Sequence, residues 1–163
     1  MSDCLAALKE EIKNRARIYY HIYRQLSAEI GKEKAIAVLK RALYDRGSEK
    51  GRQLAQKIVS PNLHQVAAAF VEGKQGIDVF GHEIVEVDDH RALLRLNQCP
   101  LVDAWKELGL APEEVKTMCD FAYQVDFGKF ETAGYSLKFN CRIAEGDSSC
   151  DLELRNQFGT STK

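Results

Sequence analysis

The hydrophobic repeat of this chain changes step at Gly73 and Gly76, and that change restricts the possible folds more than any other feature. Before it, Leu5, Leu8, Ile12, Ala16, Tyr19, Tyr20, Tyr23, Leu26 and Ile30 recur every three or four residues. That spacing describes one face of a long amphipathic helix, and Gly31 is its stop. A second helix is expected from about Lys32 to Tyr44, with Ala35, Ile36, Leu39, Ala42 and Leu43 inward and Gly47 at its end. A third starts near Ser48 and reaches Ile58. Ser60-Pro61-Asn62 then breaks the chain, and Asn62 is placed to cap a fourth helix through Val71.

After the glycines the pattern becomes strand-like. In IDVFGHEIVEVDDHRALLRLNQCP, Ile84, Val85 and Val87 precede a polar Asp88-Asp89 turn, and Leu93, Leu94 and Leu96 follow it. This predicts a β-hairpin. Pro100 opens a helix through Leu108, stopped by Gly109, and Pro112-Glu113-Glu114 opens another running to about Phe130. Proline at the first helical position and acidic residues in the first turn both suit a helix start. The stretch YSLKFNCRIAEGDSSCDLEL then predicts a second hairpin, closed at Glu145-Gly146 because glycine supplies the positive φ of a tight turn. In that register Cys141 lies opposite Cys150. Tyr135, Leu137, Phe139, Cys141 and Ile143 then share an apolar face with Cys150, Leu152 and Leu154.

The elements together predict one α+β domain over residues 1–163. A helical N-terminal half is followed by a four-stranded antiparallel sheet made of two hairpins flanking two helices. Residues 156–163 read as a frayed tail. A length of 163 residues suffices for one real core and is awkward for two. The formal net charge of -1 removes any electrostatic case for nucleic acid or an acidic membrane surface. Charges scattered through MSDCLAALKEEIKNRARIYY exclude a signal peptide or membrane span there, which predicts a cytoplasmic protein.

Five cysteines, an odd number, do not suggest a disulfide framework. In a reducing compartment they are buried thiols, metal ligands or catalytic groups. Cys4 sits in the first turn of the first helix and carries the least interest. Cys99 immediately precedes the helix opened by Pro100, where free backbone N–H groups and the helix dipole favour a thiolate. It is therefore the candidate nucleophile and the thiol expected to react fastest, against the plainer reading of a small residue ending a strand. Cys119 and Asp126 are two helical turns apart and can address one pocket; the plainer readings are a core thiol and a surface carboxylate. A pocket bounded by the Cys99 helix, the Cys119–Asp126 helix and the cysteine face of the sheet follows from these positions. As an alternative, Cys99, Cys119, Cys141 and Cys150 suffice in number for a tetrahedral zinc site.

His21, His64, His82 and His90 share no metal spacing, and His82 and His90 read as strand-edge or turn residues. The chain has no glycine-rich phosphate loop and no Gly-x-Ser-x-Gly elbow, so a nucleotide cofactor and serine hydrolase chemistry are not expected. Tyr19, Tyr20, Tyr23 and Trp105 are core or subunit-interface residues, or walls of a ligand pocket.

CPLVDAWKELGL, MCDFAYQVDFGKFETAGYSLKF and EGDSSC together resemble the L-2-amino-thiazoline-4-carboxylic acid hydrolase-like family. There a Cys-Pro begins a helix ending in a Leu-Gly turn, a second cysteine follows, and a Gly-Asp-x-x-Cys hairpin closes the domain. ARIYYHIYRQLSAEIGKEKAIAVLKRALYDRGSEKG resembles the family's helical beginning, so the likeness covers nearly the whole chain. It implies a bacterial-type hydrolase, possible as a homodimer, cleaving a C–N or C=N bond of a small cyclic amidine or thiazoline-like substrate. Cys99 would be the nucleophile, Asp126 would position substrate or water, and Cys119 would line the pocket, with no cofactor required.

The element order also resembles 4-vinyl-reductase-type small-molecule-binding domains, related in fold to trafficking-complex subunits. This second likeness implies a non-catalytic, sensor-like binding module with a zinc ion held by cysteines. Here Lys138 replaces that group's acidic ligand before Cys141.

Overall fold

The computed structural model describes residues 2–58, 62–72 and 75–157. Helix α1 spans Ser2–Ile30 and ends where Gly31 takes a φ of 86°, a conformation that costs glycine little and other residues more. Helix α2 then runs unbroken over Lys32–Lys57. The helix stop expected at Gly47 is therefore wrong, and the two expected helices are one. Gly47 and Gly51 are buried against α6 (Gln124–Thr132), where the backbones come into contact. A β-carbon on Gly47 would sit 2.2 Å from the Val125 carbonyl oxygen, and one on Gly128 would sit 2.1 Å from that of Tyr44. These glycines serve a helix crossing rather than a helix end.

Helix α3 (Leu63–Val71) starts as expected, with Asn62 Oδ1 accepting a 2.9 Å hydrogen bond from the Gln65 amide. The break expected at Ser60-Pro61 lies outside the described residues. A short π-helical turn over Gln75–Phe80 leads into β1 (His82–Val87), which pairs with β2 (Ala92–Leu96). Helix α4 (Pro100–Glu107) and helix α5 (Pro112–Ala122) follow, then α6, β3 (Tyr135–Cys141) and β4 (Cys150–Asn156). The single helix expected from Pro112 to Phe130 divides at Tyr123, separating Cys119 on α5 from Asp126 on α6.

The sheet is antiparallel in the order β1-β2-β4-β3, so the two hairpins join through β2 and β4. Its apolar face is the one the alternation predicts: Leu94 opposes Leu152, and Leu137 opposes Leu154. Leu63, Val66, Ala67 and Phe70 of α3 cover that face with Phe130 and Leu54. A second apolar cluster joins α1, α2, α4 and α5 around Trp105, Met118 and Phe121. Trp105 is fully buried, and its indole N–H donates to the Ala16 carbonyl at 2.9 Å, which makes it a structural tie between α4 and α1. Tyr19, Tyr20 and Tyr23 pack partly buried against the same cluster.

The second hairpin departs from its expected register at one point. Pairing from Tyr135↔Asn156 to Phe139↔Leu152 is as predicted, but a bulge then sets Cys141 against Asp151. The turn is also longer: a 3₁₀ turn over Ile143–Glu145 leads to Gly146 at φ 102°. Cys141 therefore does not face Cys150. Its sulfur lies 3.5 Å from the Ser149 carbonyl oxygen, among polar groups, whereas Cys150 is buried in the apolar cluster under the sheet. One extra residue in a strand exchanges the faces of everything beyond it.

Candidate functional site

Two hydrophobic clusters meet at Ile143, which packs against both. Three thiols gather at this junction. Cys150 belongs to the cluster under the sheet, while Cys99 and Cys119 pack against the helical cluster. Each fold element brings one of them for a local reason. Cys99 caps α4 because Pro100 fixes the first helical φ. Cys119 follows Met118 on the inner side of α5, and Cys150 opens β4 at the end of the longer turn.

The thiols are close enough that charge on one would raise the pKa of the others. Burial pushes the Cys99 thiol up, against the downward pull of the Val102 and Leu101 amides; the Asp103 and Asp126 carboxylates add to the rise. The α4 N-terminus thus tempers the cost of a Cys99 thiolate without making it the resting form, contrary to the expectation from Cys99's position before Pro100 alone. Burial is also the main cause of the rise at Cys119, with Cys99 and Cys150 reinforcing it. Cys150 is pushed up to about 12, chiefly by burial, although the Ile143 amide donates to its sulfur at 3.3 Å.

A pH dependence follows. Below the unfolded thiol pKa of about 8.5 both states are protonated, and the contribution of each buried thiol to stability is complete. Above it the unfolded chain ionises while Cys119 and Cys150 remain thiols, so each loses the fold up to about 1.4 kcal/mol per pH unit. Urea denaturation between pH 7.5 and 10 should therefore show a steeper loss of stability in the native protein than in Cys119→Ala/Cys150→Ala. Parallel pH profiles would count against the buried-thiol assignment.

Asp126 completes the site from α6. It acts on both Cys99 and Cys150, although the break at Tyr123 removes it from the helix of Cys119. Burial raises its pKa, opposed by Lys129, Lys50 and Arg15. Those three cations were not singled out in the sequence, where each lies in a highly charged helix. A signal was present: Lys50 precedes Gly51 and Lys129 follows Gly128, so both stand at the glycine crossing that draws α2 and α6 together. Burial lowers the pKa of both lysines. His82 is held away from catalysis by its own contacts: its Nδ1 lies 2.8 Å from the Phe70 carbonyl oxygen, and its ring stacks on Phe70 at 3.9 Å.

Among the described residues no group of three or more histidine, cysteine, aspartate or glutamate side chains is arranged to hold a metal ion. The four thiols weighed as a zinc set do not form such a group: the bulge takes Cys141 to the polar side of β3, and Cys99, Cys119 and Cys150 do not converge on one point as metal ligands. Two clefts do not coincide with the expected pocket. One cleft runs between the α4–α5 connection and the closing turn, lined by Leu110, Pro112, Val115 and Ile143. A second lies between Tyr123, Phe127, Phe139 and Arg142. Neither is lined by a cysteine or by Asp126, but Ile143, whose amide touches Cys150, forms a wall of the first. No described helix is long and apolar enough to cross a membrane.

The fold is similar to a crystal structure of a trafficking protein particle complex subunit 3 from Naegleria fowleri covalently bound to palmitic acid. The TM-score is 0.61 at 14% sequence identity, covering 92% of this chain and 97% of that one. At that identity the likeness concerns the fold alone. No curated protein matches the chain. The model of the L-2-amino-thiazoline-4-carboxylic acid hydrolase family does match, over residues 11–154. That span includes α2, the Cys99 cap, Cys119, Asp126 and both hairpins, and with it the chain belongs to the L-2-amino-thiazoline-4-carboxylic acid hydrolase family.

Proposed function

We propose that the protein hydrolyses a C–N or C=N bond of a small cyclic amidine of the thiazoline type, with Cys99 as nucleophile and Asp126 as proton donor. The observation that carries this reading is that Cys99 packs against the helical cluster with the Asp126 carboxylate within electrostatic reach of its sulfur, in a chain of this family. Cys119 lines the same region. No histidine is needed as base, because an amidine is itself basic. A neutral thiol with a raised pKa can hand its proton to the amidine nitrogen on contact, and the resulting thiolate adds to the adjacent carbon.

The α4 N-terminus then faces the charge on sulfur, where the Leu101 and Val102 amides act on Cys99. Collapse of the tetrahedral adduct breaks the bond from carbon to the leaving nitrogen, which takes the Asp126 proton and departs as an amine. Water adds to the same carbon and returns a proton to Asp126. Expulsion and reprotonation of Cys99 then release the carbonyl product. Burial raises the Asp126 pKa, which is the direction a proton donor needs.

Incubation with L-2-amino-thiazoline-4-carboxylate, followed by chromatography, tests the reading. Loss of substrate is expected to depend on Cys99 and to decline toward alkaline pH, because the route needs the Asp126 proton while the raised Cys99 pKa keeps the thiol protonated. Turnover no faster than in buffer, for this compound and its ring analogues, would remove the hydrolase reading.

A further inference from the structure

The cations around Asp126 exceed the charge they have to neutralise. Arg15 of α1, Lys50 of α2 and Lys129 of α6 all act on one carboxylate, Asp126. Among the described residues none of these four side chains forms an ion pair within 4.0 Å. Arg15 Nε is shielded from solvent and has no hydrogen-bond partner. Lys129 Nζ lies 4.8 Å from the Phe130 ring centroid, which offers a partial partner and no negative charge. The nearby charged groups do not redress the balance: Arg46 adds a further cation already paired with Glu49, and His82 is neutral in its half-buried contact with Phe70.

Half-buried cations in excess repel one another and lose part of their hydration, a cost that an anion accepting their hydrogen bonds removes. We propose that Arg15 and Lys50, assisted by Lys129, form a binding subsite for a small carboxylate. The free Nε edge of Arg15 is the edge that, with its neighbouring Nη, makes a two-point fork with a carboxylate. Asp126 is shared by the two groups, interacting electrostatically with Arg15 and Lys50 and also with Cys99 and Cys150. The ligand is therefore a compact acid whose carboxylate meets the cations while a basic C=N group lies toward Asp126 and Cys99. Only that second half rests on the hydrolase reading.

Arginine Nε–Hε resonances allow a test that reads no turnover. Titration with sodium acetate should move the Arg15 Nε–Hε peak saturably, while sodium chloride at equal ionic strength leaves it in place. Lys50→Met should weaken the acetate affinity about tenfold. An Arg15 signal unmoved by acetate in the native protein, or unchanged affinity in a folded Lys50→Met variant, overturns the subsite. Comparison of L-2-amino-thiazoline-4-carboxylate with 2-amino-thiazoline, which lacks the carboxylate, separates the two proposals. Equal affinity for both removes the anion subsite and leaves the hydrolase reading standing. Preference for the acid without turnover supports the subsite and counts against the hydrolase.

Discussion

Cys99→Ser is expected to lower the rate of thiazoline hydrolysis by about a thousandfold or more while leaving the fold intact. The magnitude follows from the role: removal of a nucleophile that acts with its partners as a unit forfeits nearly the whole covalent route. A serine hydroxyl is far less acidic than a thiol, so a basic amidine cannot deprotonate it to a useful extent. The volume change is small, and Cys99 keeps partial exposure at the α4 cap, so a structural explanation for the loss would be easy to detect by thermal denaturation. Asp126→Asn should lower the rate less, because water can supply a proton in place of the missing acid. A Cys99→Ser protein retaining most of its turnover would dismiss the nucleophile assignment.

The largest effect on stability is expected at the helix crossing. Gly128→Ala places a methyl group 2.1 Å from the Tyr44 carbonyl oxygen and 2.8 Å from the Ser48 amide nitrogen. Both are backbone atoms of α2, so no flexible side chain can move aside, and the helices must separate. Alanine's helix propensity favours the substitution by about 1 kcal/mol, but overpacking of this kind costs about 1–3 kcal/mol and occasionally more. Loss of the α2–α6 contact adds to that cost. A net destabilisation of about 3 kcal/mol is expected, equivalent to roughly 6–12 °C in Tm for a chain of this size. Gly47→Ala should behave alike, since its β-carbon would meet Val125 backbone atoms. Either variant matching the native protein in urea denaturation would show that the crossing is looser than drawn. The same separation would move Lys129 and Asp126 away from Lys50, so the variants should also weaken acetate binding.

Much of the fold was legible in the chain because it depends on local rules. Helical spacing marked α1, the Asn62 cap marked α3, and Pro100 and Pro112 marked α4 and α5, each through residues within a turn of one another. Strand alternation identified the apolar face of the sheet, since period-two geometry assigns Leu137, Leu152 and Leu154 to one side without reference to their partners. The Cys-Pro, Cys and Gly-Asp-x-x-Cys set pointed to the family for the same reason: its members are short, contiguous patterns.

What the sequence alone could not determine depended on distant backbone. Gly47 looks like a helix stop when only its own propensity is considered; packing against the Val125 backbone, far along the chain, makes it an interior contact. The bulge before Cys141 is another case. Period and turn chemistry both favoured a direct Cys141–Cys150 pair, and only the longer connection over residues 142–149 shifts the end of the ladder and sends Cys141 to the polar side. The charged centre was the least visible. Lys50, Lys129 and Arg15 read as solvated surface within their own helices; partial burial is what lowers the pKa of the two lysines, and packing is what shields the Arg15 Nε. Local sequence determined which elements form and which faces are apolar, because those follow from dihedral preference and periodicity. Tertiary structure alone decided which thiols meet and which charges lose water, because desolvation is a property of the surroundings and not of the residue.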